Sequence, residues 1–302
     1  MDKIFTHTDL DGVGCAVLAK YHNPEIEIEF CDYDNVNQKV SDFLDNNIAL
    51  GDLYITDISV SDDIAQRLDY DTDFILLDHH PTALALNKYK CCTVKVEDEK
   101  TGLKTCGTEL FYHWLVEYGY IEKSKVLDRF VEIIRNYDTW RWAELGEKGI
   151  ISKKINDLLY IYGRDNFIAW CLGSLVSRTF PKLGDTEDMI LKLRQEEIDK
   201  YVEKKNKEIF TQALCGKVSG FVFASKFTSE LGNRLCKMHP EIDFVTIINV
   251  EDCTVSYRTI KDDIDLGKDV AALFGGGGHP KAAGSQFDKT VWINIFRDIF
   301  MR

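Results

Sequence analysis

Three short stretches gather the residue types that hold divalent cations. His7-Thr8-Asp9-Leu10-Asp11-Gly12 sets an imidazole and two carboxylates within five residues. Leu53-Tyr54-Ile55-Thr56-Asp57 ends on a carboxylate, and Leu77-Asp78-His79-His80-Pro81 places one beside two imidazoles. Carboxylate and imidazole are both metal ligands, and Asp-His-His is costly to bury unless something compensates it. A calcium-type loop or a plain Asp-Gly turn would also use the acids of the first stretch, but calcium loops prefer oxygen donors, against which His7 argues. A further acid, Asp138, stands in Asn136-Tyr137-Asp138-Thr139-Trp140. It falls just past a helix read over Val126–Ile134, where a carboxylate opposes the helix dipole and is better explained as a ligand than as a cap. Near the C-terminus, Gly275-Gly276-Gly277-Gly278 precedes His279-Pro280-Lys281. Four residues without Cβ let backbone N–H groups approach an anion, and the histidine and lysine favour a phosphate cradle over a flexible hairpin. It is neither a Walker loop nor a dinucleotide-binding turn, because the residues that define those motifs are missing.

These groups need strand ends to bring them together. Ile4–Thr6, Glu25–Cys31, Leu53–Asp57 and Asp73–Leu77 read as strands, and Cys15–Lys20 and Ile64–Leu68 as helices, the latter with capping residues at Ser59 and Ser61. On an extended strand end, His7, Asp9 and Asp11 would share one face. Alternating strands and helices predict a mostly parallel sheet with helices on both faces, and open sheets of that kind place sites at the carboxyl ends of their strands. Further helices are read over Glu109–Val116 and within 151–185. Thr186–Phe210 reads as one long helix of mixed charge, a solvated connector. A smaller α/β domain follows, with strands at Gly220–Ser225, Phe244–Val250 and Thr254–Thr259 and a helix at Glu230–Met238. The expected division is residues 1–185, a helical linker over 186–213, and a second domain over 214–302.

Composition bounds what this machinery can serve. The 302 residues are 45% hydrophobic, enough for two cores. No apolar run approaches the roughly 20 residues of a transmembrane helix, and Met1–Phe5 lacks signal-peptide architecture. Nine scattered cysteines without C-x-x-C pairs read as reduced thiols of a cytoplasmic protein. A net charge of −13 argues against binding long duplex DNA through nonspecific phosphate contacts. A short polyanion can still be held through metals and a local Lys/Arg cluster.

In order, the motifs resemble those of the DHH phosphoesterase superfamily joined to its DHH-associated C-terminal domain. His7–Gly12 is similar to the first motif, Asp57 to the second, Asp78-His79-His80 to the third and Asp138 to the fourth. Gly275–His279 matches the C-terminal glycine-rich motif, so the likeness spans nearly the whole chain. The short His-x-Asp-x-Asp-Gly spacing and the Asn136–Trp140 segment resemble the nanoRNase B-like branch more than the nanoRNase A-like branch. RecJ-type exonucleases and family II pyrophosphatases share parts of the pattern; the glycine-rich motif and the first-motif spacing disfavour the latter. The resemblance implies two divalent ions, usually manganese with magnesium or cobalt as substitutes, clamping an in-line phosphoryl displacement. By the same likeness His7 and Asp9 would hold one ion, Asp11 and His79 the other, with Asp57 bridging and Asp138 completing the set. Asp57, Asp78 and His80 would be catalytic, Asp78 orienting a histidine ring and His80 touching the substrate phosphate. Asn233, Arg258, Gly276, Gly277, Gly278 and His279 would contact substrate, an arginine being suited to bidentate phosphate contacts. The implied activity is release of mononucleotides from short oligoribonucleotides, by a monomer or homodimer with no membrane partner. Alternatives are a 3′,5′-bisphosphate nucleotide phosphatase, a linear or cyclic dinucleotide phosphodiesterase, and a catalytically silent nucleotide-binding module.

Overall fold

The computed structural model describes residues 2–46, 51–70 and 74–291. The chain divides into two compact units, with the break between Leu191 and Lys192. The first unit opens with β1 (Lys3–His7), α1 (Leu10–His22), β2 (Glu27–Cys31), α2 (Val36–Asn46), β3 (Leu53–Thr56), α3 (Asp62–Leu68), β4 (Phe74–Asp78) and β5 (Cys92–Val94). These strands form a parallel sheet in the order β2-β1-β3-β4-β5. A parallel sheet is stable only with both faces covered, and the strand sequences supply both. Ile4, Tyr54 and Leu77 point into one apolar core, while their neighbours Phe5, Leu53, Ile55 and Leu76 point into another. The first core is closed by α1, α4 (Gly107–Glu117) and α5 (Lys125–Asp138) and, beyond the short α6 (Arg141–Glu144), by α7 (Ile150–Tyr162) and α8 (Arg164–Val176). The second is closed by Val36, Val40 and Phe43 of α2 and Ile64, Ala65 and Leu68 of α3.

Several element boundaries differ from the sequence reading. Asp73, expected to open a strand, lies outside the described residues; β4 instead runs through Asp78. The first helix begins at Leu10 rather than Cys15, because the Asp9 carboxylate caps it by accepting the Gly12 N–H (3.2 Å). Asp11 therefore sits in the first turn of α1, and His7, Asp9 and Asp11 do not share an extended face. Ser61, not Ser59, is the residue before α3. Asp138 is the last residue of α5 rather than a residue past its end.

The long helix α9 (Asp185–Asn206) is shorter than expected, and Phe210 already opens β6 (Phe210–Leu214). Nor is it wholly solvated. Leu191 joins the first unit's core, and Ile198 and Val202 are fully buried in the second unit's core. Their spacings of seven and four form a thin apolar stripe that the surrounding charges mask in a composition-based reading. The second unit continues with β7 (Lys217–Phe223), α10 (Thr228–Met238), β8 (Phe244–Asn249), β9 (Thr254–Arg258), α11 (Leu266–Asp269), β10 (Gly277–His279) and β11 (Ala282–Gln286). Its sheet runs β10-β11-β9-β8-β7-β6, antiparallel except for the β7–β8 pair that α10 connects. The glycine run is thus a paired hairpin: Gly277–His279 ladder with β11, and a Cβ on Gly276 would meet the Gly284 carbonyl oxygen at 2.0 Å.

Two glycines separate packing from helix propensity. A Cβ on Gly12 would meet the His7 carbonyl oxygen at 2.1 Å, whereas nothing lies within 4 Å of one on Gly173 in α8. Gly12→Ala should therefore cost about 1–3 kcal/mol, and Gly173→Ala should stabilise by roughly 0.5–1 kcal/mol. Paired thermal melts check this, and equal midpoints for the two variants would contradict the close approach of α1 to β1.

Candidate metal centre

The strand order creates the place for a site. From β1 the chain passes to β2 on one side and then to β3 on the other, so the crevice at the carboxyl ends of β1 and β3 is a topological switch point. His7 ends β1, Asp57 follows β3, and Asp78-His79-His80 ends β4. Asp57 adopts a left-handed backbone (φ 58°), which aspartate tolerates better than most residues, and its N–H donates to the Leu77 carbonyl (2.9 Å). Its side chain is backed by Gly107 at the start of α4, where a Cβ would lie 2.5 Å from the Asp57 Cβ. Asp11 fixes the same helix start: its carboxylate accepts the N–H groups of Gly107 (2.6 Å) and Thr108 (2.8 Å).

Two donor sets meet at Asp57. On one side, His7 Nδ1 lies 3.1 Å from Asp9 Oδ2 and 3.9 Å from Asp57 Oδ2. On the other, His79 Nε2 lies 3.2 Å from Asp57 Oδ1, 3.6 Å from Asp11 Oδ2 and 3.7 Å from Asp138 Oδ2. Asp57 thus turns one oxygen toward each set. Asp11 and Asp57 are each only 1% exposed, and His7 Nδ1 and Asp57 Oδ2 are buried without a hydrogen bond.

The electrostatics of this cluster call for added positive charge. Burial, reinforced by the charges of Asp11 and Asp9, pushes the Asp57 carboxyl well above the ordinary range. Burial also lifts Asp138 to about 8, with Asp11 and Asp9 adding to it and His79 opposing. Burial alone would lower His79 and His7. The charges of Asp138 and Asp11 raise His79 nonetheless, and the Asp9 carboxylate 3.1 Å from Nδ1 raises His7. Burial opposes ionisation of Asp9, but the neighbouring His7 and the Gly12 N–H together hold it below the usual range. Orphaned donor atoms, crowded carboxylates and a mixed oxygen–nitrogen set fit divalent cations. The groups His7/Asp9/Asp57 and Asp11/His79/Asp138 could each hold one.

Asp78 serves differently. Its Oδ1 accepts the His79 N–H (2.7 Å), the His80 N–H (3.3 Å) and His80 Nδ1 (2.7 Å), and its Oδ2 accepts the Ser59 hydroxyl (2.5 Å). Burial would raise its carboxyl, but the bond and charge of His80, the Ser59 bond and the charge of His79 together outweigh that and hold it low. Asp78 thus grips His80, and it also stands with Asp57, His79 and His80 in a third group that could hold a cation. Nδ1 of His80 then carries the proton, and Nε2 lies 3.1 Å from the Tyr33 hydroxyl. The sequence reading missed Tyr33, whose ring also packs 5.1 Å from that of His7. The signal was present: Tyr33 stands just beyond the carboxyl end of β2. Ser59, a capping candidate in the sequence, instead donates to Asp78.

The remaining sequence-identified residues belong to the second unit. Arg258 ends β9 and donates to the Tyr257 carbonyl (2.8 Å) and the Ser229 hydroxyl (3.4 Å), and burial lowers its pKa. Asn233 on α10 donates to the Ser229 carbonyl (2.9 Å). The register aligns His279 with Ala282 and Ala282 with Arg258. Side chains on one rung share a face, so Arg258 and His279 project from the same side of the sheet about 10 Å apart.

No protein-family model matches the chain. It is 34% identical over 311 residues to oligoribonuclease NrnB of Bacillus subtilis (strain 168), covering 99% of this chain and 76% of that protein. Among solved structures it is similar to exonuclease RecJ bound to manganese (TM-score 0.61, 12% identity, 97% of this chain and 87% of that one). It is also similar to PggH, a pGpG-specific phosphodiesterase from Vibrio cholerae (TM-score 0.52, 12% identity, 99% and 97%). At these identities the two structures speak to the fold alone.

A cation should take over the role that protons play in the metal-free cluster. The Asp138 carboxyl titrates near 8 in the fold against 3.8 for a free aspartate. Its contribution to stability is therefore complete below about pH 4 and lost progressively as pH rises toward 8. With chelator, the melting temperature should fall between about pH 6 and pH 8, and added manganese should raise it more at the higher pH. Asp57→Asn removes a buried ionisable carboxyl without forcing the backbone, so it should raise the chelated midpoint at the higher pH and abolish the manganese gain. A manganese gain that persists in Asp57→Asn would rule out the assignment.

Proposed function

The chain belongs to the DHH phosphoesterase superfamily, in the branch that includes oligoribonuclease NrnB, and from this premise we propose that it hydrolyses short oligoribonucleotides to mononucleotides. The observation that carries this reading is the position of Asp57, one carboxylate oxygen facing His7 and Asp9 and the other facing His79. His7, Asp9 and Asp57 would hold one divalent ion, and Asp11, His79, Asp138 and Asp57 a second, with manganese the expected metal. When bound, such ions would polarise the phosphoryl group and lower the pKa of a water near it.

The protein's own groups then position the substrate. His80, gripped at Nδ1 by Asp78, turns Nε2 toward Tyr33, where a phosphate oxygen could replace the phenol as its partner. The imidazolium form donates from Nε2 to that oxygen, adding stabilisation where charge develops. Asp78 keeps the ring in this orientation, and Ser59 keeps Asp78. In the second unit, the Arg258 guanidinium and the His279 imidazole on one sheet face would bind a second phosphate or the sugar, with Asn233 and the Gly276–Gly278 backbone beside them. The domain roles follow: the first unit carries the reaction and the second selects the substrate. Nine free cysteines are consistent with a cytoplasmic location, and no helix among the described residues is long and apolar enough to cross a membrane.

The direct experiment is a product time course with manganese, using end-labelled RNA of two to about ten nucleotides. A 3′,5′-bisphosphorylated nucleotide and linear and cyclic dinucleotides serve as competitors. Preferential conversion of the RNA to mononucleotides is expected; preference for a competitor would replace this reading with that activity. Within the same assay, His79→Ala should lose bound manganese. His80→Ala should keep it and turn over about 10²-fold more slowly. Matching metal loss in both would remove the distinction between them.

Substrate selection has its own test. Arg258→Lys, which keeps the packed stem but not the planar fork, and His279→Ala should retain manganese. On di- to tetranucleotides they should lose about 10–100-fold in kcat/KM, while a small generic phosphodiester suffers much less. Equal losses on both substrates would show that these residues do not act by substrate capture.

A further inference from the structure

At the far end of α1 from the metal centre, the first unit carries a surface cavity of about 1270 Å³ that the proposed reaction does not use. Its walls come from the last turn of α1, the start of α5 and the end of α8. Five cations line it, Lys20, Lys123, Lys125, Arg129 and Arg178, against the single acid Glu122. Such a concentration runs against a chain with 50 acidic and 37 basic residues. Three of the five are engaged: Lys20 with the Pro24 carbonyl (2.7 Å), Arg129 with Glu132 (2.7 Å), and Lys123 at 3.9 Å from Asp128. The side chains of Lys125 and Arg178, both exposed, have no hydrogen bond or ion pair among the described residues.

The cavity also combines a helix start with an apolar wall. The N-terminus of the 14-residue α5 opens here, and Ser124 Oγ accepts only the Leu127 N–H (3.3 Å), leaving earlier N–H groups for an anion. Beside this cationic rim stands an apolar wall of Leu172, Leu175 and Phe180, with the Tyr120 ring at its edge stacked on Trp114 (5.0 Å). A cationic rim suits a phosphate, and an apolar and aromatic wall suits a planar heterocycle. We propose that this cavity binds a nucleoside monophosphate. The 13 residues of α1 place it about 20 Å from Asp9 and Asp11. The α5 helix that opens at the cavity ends on Asp138, so a ligand here contacts both helices that carry candidate metal ligands into the first unit's crevice. The binding itself does not depend on the proposed hydrolysis, although that reaction would make the ligand one of its own products.

Calorimetric titration of the metal-stripped full chain with AMP, adenosine and inorganic phosphate tests the proposal. Binding of AMP at least tenfold tighter than either fragment is expected. Replacing both exposed cations, Lys125→Ala with Arg178→Ala, should remove one equivalent of AMP binding while leaving the melting temperature unchanged, and Lys125→Arg with Arg178→Lys should restore it. An AMP isotherm unaffected by the double alanine change would overturn the proposal. So would phosphate binding as tightly as AMP, or a short RNA that binds tighter than AMP and loses that binding in the same variant.

Discussion

The fold is built around an unfavourable concentration of negative charge. The Asp57 carboxylate is buried beside those of Asp9 and Asp11, with Asp138 across the His79 ring. An ionised carboxylate in such surroundings is disfavoured by lost hydration and by its like-charged neighbours at once. The surrounding structure holds the groups in place against that cost. A left-handed backbone at Asp57 aims its side chain, Gly107 leaves room behind it, and the N-terminus of α4 donates two N–H groups to Asp11. Each of these arrangements is local, yet each depends on a strand order that brings the ends of β1 and β3 side by side.

A second layer of contacts fixes what the cluster presents. The Thr6 hydroxyl donates to the Gly12 carbonyl (3.0 Å), tying the end of β1 to the first turn of α1, and Thr56 donates to Thr6 (3.0 Å), tying β3 to both. Arg135 pairs with Glu109 (2.5 Å), locking α5 to the first turn of α4 one turn before Asp138 reaches His79. Asp78 works in the same way on His80. The result is a preorganised donor set whose geometry is supported by buried hydrogen bonds rather than by flexible surface side chains.

The second unit uses a different kind of sheet for a different task. Its mixed sheet places Arg258, Ala282 and His279 on one rung, and the glycine run makes that rung possible by letting β10 pack closely on β11. Gly278, at φ 139°, lies against Ala283, where a side chain would clash with backbone. The glycines therefore serve hairpin packing whatever else their N–H groups contact. Gly232 on α10 performs a similar service for the Arg258 stem, which would meet a Cβ there at 2.5 Å.

The sequence by itself determined four of the five strands of the parallel sheet (missing only β5), their delivery of acids and histidines to one edge, and the family likeness carried by five ordered motifs. Those features are local in the chain: short apolar runs, polar residues at their ends, and glycines at fixed spacing. Helix starts were less legible, because Asp9 caps α1 through a contact that its own spacing also allows in an extended strand. The tertiary structure decided that Asp57 faces two donor sets, that Asp78 grips His80, that Tyr33 joins them, and that a cationic cavity lies at the other end of α1. Except for the Asp78–His80 contact, which is two residues apart, these depend on residues brought together from tens of positions apart by strand order and helix packing. A pattern read along the chain records which residues can ligate or donate, but not which partners will saturate them, since that depends on distances set only when both faces of the sheet are buried.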